Sequence, residues 1–181
     1  MGCSSSTADV KRGGYSNGKL PEPSAPPPPD PRLPLTARQK FSLEKSWKAV
    51  QRNMEEVGMN TLLRLFKEDP SIQDLFPSFK GQTEHQLRND MGFENQAVMI
   101  LNIFDEVVEQ LNNLDAAISL LTKTGKKHSM IDPDMMMKFE KPFLETVKET
   151  LEDRYNEKIE AIYITFTKFV LDHVITGMKG T

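Results

Sequence analysis

Ile118–Met130 reads ISLLTKTGKKHSM, and the interpretation of this stretch decides the fold. Apolar residues at helical spacing give way to Gly125, Lys126, Lys127 and His128, and "MIDPD" (Met130–Asp134) then forces a turn. A helix therefore ends here, with cations placed where the helix dipole is negative. His128 is one of three histidines in 181 residues, and it projects from that terminus. A lone histidine in such a place is ordinarily a surface residue that suits the dipole. The sharper alternative is a neutral imidazole, rigidly held, with one nitrogen free for the iron of a planar cofactor. The flanking sequence has to show whether helices exist to enclose one.

Outward from this stretch the periodicity is helical throughout. From Leu35 onward no period-two alternation persists. Thr36 and Gln39 form a capping box ahead of Leu43, Trp47 and Val50. Met59, Leu62, Leu63 and Phe66 make a second stripe, and Pro70 suits the first turn of a short helix carrying Ile72, Leu75 and Phe76. A long helix places Phe93, Ala97, Ile100, Phe104 and Val108 on one side. Beyond the quoted stretch, a helix opening near Asp132 or Pro133 carries Phe139, Phe143, Val147 and Leu151. The last helix presents Ile159, Ile162, Tyr163, Phe166 and Val170. Taken singly, each of these positions is core. Together they predict an all-α domain over residues 35–178.

Composition changes sharply before that domain. Residues 1–34 are rich in Ser, Gly and Pro, include PEPSAPPPPDPRLP, and hold few large apolar side chains. Such a segment cannot offset its ordering entropy and is expected to be a disordered or polyproline-like tether. It opens MGCSSS, a pattern for myristoylation at Gly2 with Cys3 beside it for palmitoylation. A single myristoyl chain binds a bilayer with only about 10⁴ M⁻¹, so stable anchoring needs the second chain. The expected location is the cytoplasmic face of a membrane, with the plasma membrane favoured. A net charge of −3 leaves no electrostatic footprint for nucleic acid. No apolar run approaches the roughly 18 residues of a transmembrane helix. Cys3 is the only cysteine, so no internal disulfide forms, and the N-terminus lacks a secretory h-region.

With these residues in view, Leu35 to Gly177 resembles a globin. The likeness rests on SWKAV in the first helix, LLRLFKEDPSIQDLF through the second and third, and LLTKTGKKH before the turn. It is most similar to neuroglobin and the acylated globin X lineage. The resemblance implies a three-over-three helical sandwich, a haem b cofactor, and O2, NO and CO as diatomic ligands. It implies that His128 is the proximal iron ligand, that Phe76 stacks on the porphyrin, and that Phe79 lies at the same haem edge. It also implies that Gln96 occupies the distal position, with Phe93 and Ile100 on either side of it. Those relatives resemble each other in carrying a distal histidine there. An amide does not usefully ligate iron, so the expectation is a five-coordinate ferrous state in which Gln96 donates a hydrogen bond to the bound gas.

The remaining candidates have plainer readings. His85 lies in a polar stretch and is expected to be solvated, while His173 on the last helix is expected to be structural. Met135, Met136 and Met137 face different ways on a helix and read as packing rather than as thioether ligands. Lys126 and Lys127 are solvated or reach haem propionates. Three functions follow: a membrane-tethered haem protein binding O2 or NO, with nitrite-reductase, NO-dioxygenase or peroxidase-like chemistry served by a reductase; a gas or redox sensor whose PPPPDP arm recruits a partner; or a haem-free helical scaffold. No EF-hand loop occurs, which sets aside an acylated calcium sensor. No paired carboxylates or Ser/His/Asp set marks a dedicated catalytic site.

Overall fold

Helix caps frame the chain. The Thr36 hydroxyl accepts the Gln39 N–H at 3.2 Å while the Gln39 side chain accepts the Thr36 N–H at 2.9 Å, and this box opens α1 (Ala37–Arg52). The computed structural model describes residues 28–180, and among them every regular element is helical. After α1 come α2 (Met54–Glu68) and α3 (Pro70–Gln73), the latter capped by Asp69 with Pro70 at its first position. A second capping box, Thr83 with Gln86, opens α4 (Glu84–Arg88). Asp90 caps α5 (Met91–Glu109) and Asn113 caps α6 (Leu114–Lys126). α7 (Pro133–Met137), α8 (Glu140–Leu151), a single 3-10 turn at Glu152–Arg154 and α9 (Glu157–Met178) complete the fold.

The segment from Asp132 to Leu151, expected as one helix, is two. Pro142 has no N–H to give the Lys138 carbonyl, so the ladder lapses there. Lys138 and Phe139 bond three residues back instead, at 3.3 and 3.2 Å. Phe139 still reaches the core. Leu75, expected on the apolar stripe of the short third helix, lies beyond the end of α3 and is 42% exposed.

α1, α5 and α6 form one layer and α2, α8 and α9 the other, packed across each other through α2–α5, α6–α9, α1–α8 and α1–α9. Trp47 sits where the layers meet. Its ring lies 6.0–6.5 Å from Phe104, Phe143, Tyr163 and Phe166, and its Nε1–H donates to the Asp105 carboxylate at 2.7 Å. At the α2–α5 crossing, a Cβ on Gly58 would lie 2.8 Å from the Ala97 carbonyl oxygen, so glycine is what lets these helices touch.

Packing begins ahead of α1. Leu33 and Leu35 are buried, and Arg32 pairs with Asp30 and with Asp115 in the first turn of α6. Lys40 Nζ donates to the Leu111 carbonyl at 2.8 Å, just before the same helix. The chain thus enters the fold bound to the α6 end of the layer that α1, α5 and α6 form. Gly2 and Cys3 lie outside the described residues.

Candidate functional site

The site is built at the end of α6. Past Lys126 the chain makes one further turn, in which the His128 N–H donates to the Gly125 carbonyl at 2.8 Å. His128 Nδ1 lies 2.9 Å from the Thr124 carbonyl oxygen. A carbonyl only accepts, so Nδ1 is the donor here, and in the neutral ring the lone pair falls on Nε2. The ring is half-buried, and Nε2 has no protein partner among the described residues. An imidazole oriented by a backbone carbonyl through one nitrogen, with the other free, is in the state a metal requires. Thr124 supplies this anchor four residues back. The sequence reading did not single it out, although helical spacing alone puts it one turn before His128.

α5, the neighbour of α6 in the layer, carries two stripes. Ala97, Leu101, Phe104 and Val108 are buried against the core. About a quarter-turn away run Phe93, Gln96, Ile100, Ile103 and Val107. The ends of this second stripe, Phe93 and Val107, are 0% exposed, but its middle, Gln96, Ile100 and Ile103, is only half-buried. The Gln96 side-chain amide makes no hydrogen bond among the described residues. Ile103 is a further residue of this stripe, one turn beyond Ile100 and legible from spacing.

Three of the expected aromatic residues come together. Phe79 meets Phe93 edge-on at 5.4 Å and stacks on Phe76 at 5.7 Å, and Phe66 lies 5.6 Å from Phe76 and 6.1 Å from Phe93. Phe79 and Phe93 are buried, whereas Phe76 keeps a partly exposed ring propped by Phe66 and Phe79. On the α6 side, Leu120, Ile131, Met135 and Met136 are likewise apolar and only half-buried.

The other candidates stand apart. His85 lies on α4 and is exposed, as its polar surroundings led one to expect. His173 on α9 packs its ring 4.6 Å from Phe169, and burial is the main cause that lowers its pKa. Met135–Met137 are half-buried packing on α7, and Lys126 and Lys127 are exposed.

Among the described residues no cluster of three or more His, Cys, Asp or Glu side chains could hold a bare metal ion. A lone imidazole retains iron only when the iron brings its other donors in a macrocycle. Half-exposed apolar side chains on α5, α6 and α7 match the faces of such a ring. The residues present therefore fit a haem. The family model described as Globin matches residues 59–174.

The chain belongs to the globin family. It is 31% identical over 104 residues to cytoglobin-1 of Oryzias latipes, which covers 55% of this chain and only 59% of that relative. A myoglobin of Mustelus antarcticus is 23% identical over 134 residues, 74% of this globin and 90% of that one. Among solved structures, a hexacoordinated haem protein from an anhydrobiotic tardigrade, determined at pH 4, superposes with a TM-score of 0.80 at 38% identity. It covers 83% of this globin and 99% of that chain. The haemoglobin of the botfly Gasterophilus intestinalis, at 21% identity and a TM-score of 0.71, shares the fold. The expected all-α globin fold is what the structure has.

Proposed function

We propose that this globin binds haem b through His128 and uses it to bind O2 or NO at the face toward Gln96. The observation that carries this reading is His128 Nδ1 on the Thr124 carbonyl, which leaves Nε2 free on a half-buried ring. Similarity to a haem protein at 38% identity over nearly its whole length supports the cofactor. When bound, the haem would supply an iron able to take up a diatomic gas. His128 would hold the iron through Nε2, and Phe76 would offer a ring to pack on the porphyrin. Gln96, with an amide that has no partner among the described residues, is available to donate an N–H to the gas. Such a bond contributes about 0.5–1.5 kcal/mol, a few-fold to roughly tenfold in affinity, and favours polar O2 over CO.

The tardigrade relative is named as hexacoordinated. For this globin we favour a five-coordinate ferrous state. Apart from His128 it has only His85, exposed on α4, and His173, packed on Phe169 of α9. Absorption spectra of the ferric, ferrous and CO-bound forms, with His128→Ala beside them, are the test. A low-spin six-coordinate deoxy spectrum would refute five-coordination, and an unchanged Soret band in His128→Ala would refute the ligand.

The same reading takes the N-terminal segment, ahead of the packed residues that begin at Asp30, as a lipid tether, acylated at Gly2 and Cys3, that holds the globin at the cytoplasmic face of a membrane. The MGCSSS motif supports it. Gly2→Ala should move the protein from the membrane fraction to the soluble one, and unchanged fractionation would remove the tether. A redox or gas-sensing role, with a reductase or a protein recognising the proline-rich arm as partner, follows from such a tether. It is tested by ligand-dependent binding of that partner.

A further inference from the structure

We propose that Gly125 and Gly177 are positioning residues for the proximal imidazole: they clasp the last turn of α6 to α9 and so set where His128 presents its free nitrogen. The functional meaning rests on the haem reading above; the packing does not.

A Cβ on Gly125 would lie 1.9 Å from the Val174 carbonyl oxygen and 2.9 Å from Gly177 Cα and Met178 N. From the other side, a Cβ on Gly177 would lie 2.2 Å from the Thr122 carbonyl oxygen and 2.9 Å from Thr122 Cα. Every one of these contacts is backbone, which cannot swing aside as a side chain can. Restoring ordinary contact would force the helices apart by about 1.5 Å in an interior with no slack. Neither glycine has a positive φ, so backbone conformation does not call for glycine at either place. Within a helix glycine is less stable than alanine. Close approach is the compensating gain.

The clasp reaches His128 directly. The two carbonyls that anchor this residue belong to Gly125, which accepts its N–H at 2.8 Å, and to Thr124 beside it, which takes Nδ1 at 2.9 Å. Gly125 and Thr122 face α9, while Leu120, Thr124 and His128 fall about a third of a turn round the helix axis. One side of α6 is therefore locked to the lower layer while the adjoining side carries the ligand. A shift of Gly125 off α9 carries both anchors with it.

The test uses the full chain as wild type, Gly125→Ala, Gly177→Ala and, as a control overpacked away from α6, Gly58→Ala. In haem-free protein, amide exchange should show α6 protected in the wild type. Exchange there should quicken by roughly ten- to a hundredfold in Gly125→Ala and Gly177→Ala but not selectively in Gly58→Ala. In haem-loaded ferrous protein, the iron–imidazole stretching band should shift in the first two variants and stay in place in Gly58→Ala. Freely exchanging α6 amides in the haem-free wild type would overturn the clasp without any variant having to fold. So would an unmoved iron–imidazole band in both clasp variants. A wild type that takes up no haem while α6 remains protected defeats the haem reading instead, and the exchange arm tells the two failures apart.

Discussion

The helices that carry the two key side chains are held in opposite ways. α6 is fixed from behind by glycine-to-backbone contact with α9, and its His128 ring is tied to a carbonyl of its own helix. α5 is anchored at both ends of its second stripe by the buried Phe93 and Val107, yet its middle, with Gln96 and Ile100, is half-open and the amide has no partner among the described residues. One helix is finished without a ligand; the other is left incomplete. The difference matches the two tasks of an axial site. A permanent bond needs a preorganised donor, and a transient ligand needs a donor that nothing else has claimed.

The largest effect should come from removing the finished side. His128→Ala takes away the imidazole proposed to hold the iron, and haem uptake followed by the Soret band should collapse. Retention of full colour would mean another residue holds the iron. Next, Gly58→Ala strains the α5 side, where its Cβ would meet the Ala97 carbonyl at 2.8 Å. Denaturant unfolding should show a loss of about 1–3 kcal/mol, together with a changed CO stretching band, because Ala97 neighbours Gln96. Should the CO band stay put, the α2–α5 crossing does not set the open side.

Smaller still is the amide itself. Gln96→Leu should weaken O2 binding by a few-fold to about tenfold, the worth of one hydrogen bond of about 0.5–1.5 kcal/mol, and leave CO binding nearly unchanged. Equal losses for both gases would argue against a hydrogen bond. The slightest effect should be one of pH. Burial holds the His173 pKa in the folded protein below the ordinary histidine value of 6.5, with Arg32 acting in the same direction and Asp172 opposing. The unfolded chain therefore takes up this proton first. Stability should be complete above about pH 6.5, should fall as the pH drops below it, and should level off below the folded value. His173→Leu should flatten that fall. α5 has no histidine, so the sensitivity belongs to the α9 backing of the ligand side. An unaltered acid profile in His173→Leu would place its origin elsewhere.

Legibility followed the range of the interaction. The Thr36 and Thr83 capping boxes, the Pro70 start and the end of α6 are local chemistry, and the first, third and fourth of these were read directly from spacing. The break at Lys138–Phe139 was also local, because Pro142 stands four residues after the carbonyl it orphans, but the apolar stripe running through it concealed it. The half-open middle of α5 was not readable, since Ile100 and Ala97 are equally apolar in sequence and differ only in what covers them. Leu33 was assigned to a tether by its proline-rich surroundings, yet it is 0% exposed; composition averages over a segment, and burial acts on one side chain.

By itself the sequence determined that the folded part is helical, that helices open at Thr36 and Pro70, and that His128 falls at a helix terminus, because caps, prolines and periodicity act within a few residues. Only the tertiary structure decided that Gly125 meets α9 backbone and that the middle of one α5 stripe lacks cover. Those outcomes depend on which helix lies against which, and no short window of residues contains the partner.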